Sequence, residues 1–424
     1  MKFFNRIDNL GLVIIYNYFL LSAINGFLSM VGMVSIAKLD LLIMLAGTVI
    51  AFSYLRKYIT KLDIFIIAFL GIIAFTSLLN NYSYELWYSG CRYQLYTTIF
   101  FFVGRHPYIQ THLIFRKGVV PFLCVCIIGL ILYVASPSWY MDYKLQMWQD
   151  EGNISDGMIL EMTRFSAFWT YPYWVSYGCA IIYAYIIINC YMNRYMKRSE
   201  IIILIFIAFI ALLTQQRAPI LTIALLTIIF ITLGQFRRRK YGHASLRSSI
   251  LYFLSLCISM FVFFLSFIED EMLERLLGKI ELLENISVFL NERSNIFSDF
   301  YLKEVTLFGD GIGRYSHAAY KLGKLAITDQ QYMLLMHETG YFGCIGYGMI
   351  LLAILFRGIK YHSSFYLELT IIMFYLIAMT GANCLSSFGQ HTAIFWICCG
   401  FICKNSLHYK TTNLPNTDVR NLYR

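Results

Sequence analysis

The chain has 424 residues and a formal net charge of +10, yet only 14% of it is charged while 59% is hydrophobic and 17% aromatic. A soluble chain carries about 25% charged residues, and a globule of this length has no interior large enough for so much apolar surface. That excludes a set of soluble domains and points to a polytopic membrane protein. The eleven cysteines lie in or beside apolar segments, which gives neither a disulfide framework in the polar loops nor a zinc-ligand spacing.

At about 20 apolar residues per crossing, the sequence predicts one all-α integral membrane domain over 1–424 with about twelve transmembrane helices: 10–31, 39–55, 62–79, 88–104, 118–136, 172–192, 200–214, 218–236, 249–268, 330–356, 363–383 and 387–403. The first is too long for a cleavable signal peptide and leads straight into further spans. Basic residues fall in alternate connections: Lys2 and Arg6; Arg56, Lys57 and Lys61; Arg105, Arg116 and Lys117; Arg194, Lys197 and Arg198; Arg237 to Lys240 and Arg247; Arg357 and Lys360; Lys404 onward. By the positive-inside rule these connections and both termini are cytoplasmic. The Arg237–Lys240 run is then a topology signal, and no nucleic-acid partner is expected.

Two outer loops, 137–171 and 269–329, hold much of the polar sequence. In the larger, Leu273, Leu276, Leu277, Ile280, Leu283 and Ile286 recur at helical spacing opposite Glu274, Lys279, Glu281 and Glu284, the pattern of an amphipathic helix lying on the membrane surface. Gly309-Asp310-Gly311-Ile312-Gly313 reads as a flexible turn. It follows no strand and has no Lys-Ser/Thr, which excludes a phosphate-binding nucleotide loop.

Six arginines stand outside the positive-inside pattern (Arg92, Arg164, Arg217, Arg275, Arg293 and Arg314), and four of them lie where they could serve a site. Arg217 lies in Thr214-Gln215-Gln216-Arg217-Ala218-Pro219, after a short seventh span and before a Pro suited to a first helical turn. A polar turn at membrane depth is tolerated where it lines a cavity, and an ionisable residue there is a functional candidate. Arg164 precedes the sixth span, Arg293 follows the amphipathic helix and Arg314 closes the glycine-rich turn. Arginine grips phosphate oxygens bidentately, so four on one side of a membrane suit a pyrophosphate-linked lipid. Asp329 opens the tenth span, His337 and Glu338 lie inside it, and His317 sits between it and the turn. An ionisable pair in an apolar span is costly unless paired. His391, in the last span, reads as a satisfied buried polar residue.

These segments resemble the bacterial O-antigen polymerase (Wzy) and O-antigen ligase superfamily. Arg164-Phe165-Ser166-Ala167-Phe168 before a Pro resembles its Arg-Leu-Ser-Gly-Thr-Phe element, and Gln216-Arg217-Ala218 its Ser-Arg-Gly/Ala element between spans. Gly309–Gly313, then Asp329-Gln330 and Glu338-Thr339-Gly340-Tyr341-Phe342-Gly343, resembles its large outer loop and the following helix. The similarity covers roughly 160–345. Ligases place a His-Asn/Ser/Gln pair where this chain has Asp329-Gln330, a departure that favours polymerase over ligase. His317 or His337 would have to substitute for the missing ligase His.

The resemblance implies a C-type glycosyltransferase fold in the bacterial inner membrane, with both loops periplasmic and no cofactor or metal. The implied activity is polymerisation of a surface polysaccharide from undecaprenyl-pyrophosphate-linked repeat units. Arg164, Arg217, Arg293 and Arg314 would bind pyrophosphate, Arg217 also acting in catalysis. Asp329 would be the general base, with His317, His337 and Glu338 as further catalytic candidates. Membrane lipids and a chain-length regulator protein are the other implied partners. An O-antigen ligase and a lipid-linked oligosaccharide flippase are the alternatives; a flippase predicts short loops on both sides and pseudo-repeated halves, which the sequence lacks.

Overall fold

A computed structural model describes residues 2–33, 38–80, 83–150, 164–169, 171–193, 196–241, 304–316, 319, 327, 330–385 and 390–404. Among these the fold is all helical. The helices are α1 (Lys2–Tyr16), α2 (Tyr18–Met30), α3 (Leu39–Tyr58), α4 (Lys61–Asn80), α5 (Tyr84–Gly90), α6 (Ile99–Arg105), α7 (Thr111–Ala135) and α8 (Ser138–Asp150). They continue with α9 (Tyr173–Asn193), α10 (Arg198–Leu213), α11 (Arg217–Tyr241), α12 (Gln331–Lys360), α13 (His362–Ala378) and α14 (Thr392–Ile402).

Five of these helices (α3, α4, α7, α9 and α12) are long and apolar enough to cross a membrane, and α1–α2 makes a sixth if the pair, bent by 70°, is one span. The sequence led us to expect twelve. Part of the difference is helix geometry: a π-helical turn at Cys91–Leu95 and a 3₁₀ turn at Tyr96–Thr98 divide the 88–104 segment between α5 and α6. α10, α13 and α14 have 16, 17 and 11 residues. The 249–268 segment and the 273–286 amphipathic pattern lie outside the described residues.

Helix ends follow local chemistry. α3 has Asp40 in its first turn and Arg56 and Lys57 in its last, each placed to oppose the helix dipole. Ser83 accepts from Leu86 N at the start of α5. Glu200 reaches back to Lys197 N at 2.6 Å at the start of α10.

α9 is the central post, packed by α7, α10, α11 and α13. In it, 78% of the most apolar stretch is buried, against 28% in α4 and in α7. α6 and α14 form the closest seam: a Cβ on Gly104 would meet Ile397 O, and one on Gly400 would meet Phe101 O. Polar groups gather at the two ends of α14. At one, Arg105 Nε lies 3.1 Å from Asp63 Oδ1, both buried. Tyr54 OH accepts from Arg105 Nε at 2.7 Å and donates to Asp63 Oδ2 at 3.0 Å. Thr60 donates to the same carboxylate oxygen through its N–H (2.8 Å) and its hydroxyl (2.7 Å). Lys404 Nζ, its pKa pushed down to about 8 by burial, donates to Pro107 O and Ile109 O nearby. Arg357 Nη2 donates to Lys404 O at 2.8 Å.

Candidate functional site

The opposite end holds the segments singled out in the sequence. His391 marks it: fully buried and in the left-handed conformation (φ 55°), it caps α14. Its Nε2 lies 3.0 Å from Trp174 O and its Nδ1 3.2 Å from Tyr18 OH. A carbonyl only accepts, so Nε2 carries the proton and Nδ1 accepts from the phenol. This is the satisfied buried polar role expected for it. The contact joins the start of α9 to the start of α14. Tyr375 OH donates to Gln390 O and His391 O, adding the last turn of α13, and Gln331 N donates to Met379 O at 3.1 Å, adding the start of α12.

Two clusters form at this end. The first is a strap, Arg164–Trp169, which runs between α8 and the end of α10. Phe165 N donates to Leu213 O at 3.1 Å; the next residues are Thr214, Gln215 (φ 54°) and Gln216, and Arg217 begins α11. One backbone hydrogen bond thus brings the Arg164 and Arg217 segments together. Arg217 is exposed and Arg164 half-buried.

α8, inside what the sequence presented as a loop, clasps the strap with one helical face. Tyr140 OH donates to Ala167 O at 2.8 Å, Tyr143 OH to Phe168 O at 3.1 Å and Lys144 Nζ to Arg164 O at 3.4 Å. The positions 140, 143 and 144 follow the i, i+3, i+4 rule. At the end of the strap Trp169 stacks on Trp174 at 3.9 Å. Lys144 is buried to 2% exposure, with its ammonium 5.2 Å from the Tyr140 ring. Burial pushes its pKa down to about 8, so it keeps its charge at neutral pH. Sequence reasoning passed over Lys144, Tyr140 and Tyr143; the signal available was their spacing on one face of Ser138–Asp150.

The second cluster is the glycine-rich segment, which is docked instead of forming the free turn expected from its composition. α12 breaks at Gly340 (φ 66°, ψ −169°). In an unbroken helix the His337 and Glu338 carbonyls would accept from Tyr341 N and Phe342 N. Here they accept from Asp310 N (2.8 Å) and Gly311 N (3.0 Å), while Tyr341 N and Phe342 N donate to Thr306 O (3.4 Å) and Leu307 O (2.9 Å). The four backbone groups released by the break are all satisfied by the inserted segment, as a buried break requires.

The same segment passes over α5. A Cβ on Gly90 would sit 2.5 Å from Gly313 N, and Gly313 itself has φ 85°. Asn80 Nδ2 donates to Gly309 O at 2.9 Å, and Tyr315 OH donates to Asp310 Oδ2 at 2.5 Å. Glu338 is fully buried; its Oε2 accepts from Gln94 Nε2 at 2.5 Å and its Oε1 from Tyr315 N at 2.8 Å. It ties the π-helical turn, the glycine-rich segment and α12 together. His337, buried beside it, meets the Tyr315 ring edge-on at 6.1 Å. Arg314 is half-buried with its guanidinium 5.9 Å over the same ring. Gln94 and Tyr315 were not singled out in the sequence, where a glutamine in an apolar segment and one tyrosine among 33 give no cue.

Of the sequence candidates, then, Arg164 and Arg217 share the first cluster, and Arg314, His337 and Glu338 share the second. Arg293, His317 and Asp329 lie outside the described residues. Among the described residues, no group of three or more His, Cys, Asp or Glu is placed to hold a metal ion. No protein-family model and no curated protein matches the chain.

Proposed function

We propose that the protein is a polysaccharide polymerase of the bacterial inner membrane, with twelve spans, cytoplasmic termini and an active site at the outer end. It transfers a growing glycan from undecaprenyl pyrophosphate onto the next lipid-linked repeat unit. The observation that carries the reading is the Phe165 N–Leu213 O bond. It joins the Arg164 and Arg217 segments, each of which the family resemblance picks out independently, at one end of an apolar bundle.

The chemistry follows from the charges. An acceptor hydroxyl attacks the anomeric carbon of the donor glycan, and the carbon–oxygen bond to pyrophosphate breaks. The bonding electrons leave on the lipid pyrophosphate. Charge develops on that leaving group, and Arg217, Arg164, Arg293 and Arg314 stabilise it more in the transition state than before. Asp329 takes the hydroxyl proton. Lys144 adds a cation beneath the strap, and Glu338 with His337 holds the glycine-rich segment and Arg314 in place.

The test is a gel profile of surface glycan from a deletion strain complemented with wild type or Arg217→Ala at equal protein level. We expect wild type to restore a ladder and Arg217→Ala to give core plus one repeat unit. A full ladder from Arg217→Ala overturns the assignment. Long glycan retained on the lipid carrier would identify a ligase instead, and single units trapped inside a flippase.

A further inference from the structure

The polar end opposite the strap carries a second feature. Along the last turns of α12 an open depression of about 620 Å³ is lined by Leu352, Ala353, Phe356, Arg357, Lys360 and Tyr361. These positions form one stripe down the end of the helix, spanning about 13.5 Å at 1.5 Å per residue. Its chemistry changes along its length. Leu352 and Phe356 are 67% and 78% exposed, suited to hydrocarbon, and Arg357, Lys360 and Tyr361 follow at the helix end. Arg357 is held at the helix end by its Nη2 bond to Lys404 O.

From this stripe we infer a binding site for an anionic phospholipid of the leaflet facing that end. The acyl chain lies along Leu352 and Phe356, and the phosphate is held between Arg357 and Lys360 with Tyr361 at headgroup level. Charge complementarity selects the occupant. Two cations at the end of an apolar helix face match a lipid with net negative charge, and each basic residue near an anionic headgroup is worth roughly fivefold in affinity. The inference rests on α12 spanning the membrane and not on the proposed reaction.

The full chain, purified in detergent, is mixed with equal amounts of dioleoylphosphatidylglycerol and dioleoylphosphatidylethanolamine, and retained lipid is counted by native mass spectrometry. Wild type is expected to retain phosphatidylglycerol preferentially, and Arg357→Gln/Lys360→Gln to lose about thirtyfold of that preference. Lys57→Gln/Lys61→Gln removes the same charge from the same end and is expected to keep it. Equal retention of both lipids by wild type overturns the inference, and so does an equal loss in the two variants, which would mean diffuse attraction. Because Arg357 also holds Lys404, a second measurement uses the unmodified protein: phosphatidylglycerol with a photoreactive acyl chain should label the 352–361 peptide. Labelling confined to other helices refutes the site.

Discussion

Replacing Gly340 with alanine tests the exchange of hydrogen bonds across the break in α12. Its backbone lies in a region essentially reserved for glycine (φ 66°, ψ −169°), so a side chain there costs about 1–3 kcal/mol if the conformation is kept. The new Cβ would also sit 2.5 Å from Leu307 O and from Thr306 O, atoms that hold the inserted segment. If the segment is released instead, four backbone bonds of about 1 kcal/mol each are forfeited. The two routes weaken docking by about 1–4 kcal/mol, roughly fivefold to several-hundredfold in an opening equilibrium. The assay is amide hydrogen exchange at Asp310 and Gly311 in the purified protein. Gly348→Ala is the control: the same helix, but nothing within 4 Å of the added Cβ, and about 1 kcal/mol of gain from helix propensity. If Asp310 and Gly311 exchange no faster in Gly340→Ala than in Gly348→Ala, the four-bond exchange is not what holds the segment.

Other expectations concern the two ends. Arg105→Met leaves Asp63 buried without its guanidinium, and we expect a loss of about 3–5 kcal/mol in denaturant unfolding; Arg105→Met/Asp63→Leu should recover most of it, and an unchanged single variant would contradict the pair's role. His106 is buried, which pushes its pKa down to about 4; Asp8 opposes the shift, and Lys404 and Lys57 add to it. The unfolded chain therefore binds this proton first, and stability should fall as pH drops from about 6.5 to about 4. His106→Gln should flatten that stretch of the melting profile, and a wild-type profile already flat there would refute the placement. Lys144, with its pKa at about 8, loses its charge as pH rises through that value. Under the proposed function, glycan elongation in membrane vesicles is expected to decline above about pH 8 in wild type, and to hold to higher pH in Lys144→Arg.

What could be read in advance was whatever depends on residues close in sequence. Apolar runs located the long helices, and the crowding of Arg56, Lys57, Lys61, Arg105 and Lys404 toward one end follows their alternation along the chain. Phe165 and Leu213 meet only because two connections fold toward each other, and Gln94 reaches Glu338 from the opposite half of the chain. No periodicity carries such pairings. Hydropathy also misjudged how helices are built: Cys91–Leu95, which carries Arg92 and Gln94 within the 88–104 segment, winds as a π turn instead of continuing one straight span. The glycines of 309–313 looked like freedom, whereas close approach to Glu338, Leu86 and Gly90 is what requires them. In a membrane, lipid and protein interior are equally apolar, so the sequence of α9 did not reveal that it would be enclosed.

The enclosure of α9 has a consequence for assembly. It carries Tyr173, Ser176, Tyr177, Tyr183 and Tyr185 on its surface; Tyr185 meets His112 and Phe115 of the earlier α7, but the groups that cover Tyr177 and Trp174 O come late. Phe374 and Tyr375 of α13 pack against Tyr177, and His391 caps Trp174 O from the start of α14. At about 5–20 residues per second, the ribosome needs roughly 10–40 s after completing α9 to deliver them. During that interval a helix with several hydroxyls must wait beside lipid or beside the insertion machinery. Its partner Tyr18 is already waiting on α2, so the arrival of His391 ties the earliest helices to the last. Truncations before α14 should therefore leave a chain that inserts but stays susceptible to membrane proteases, because the post around which it closes has not yet been covered.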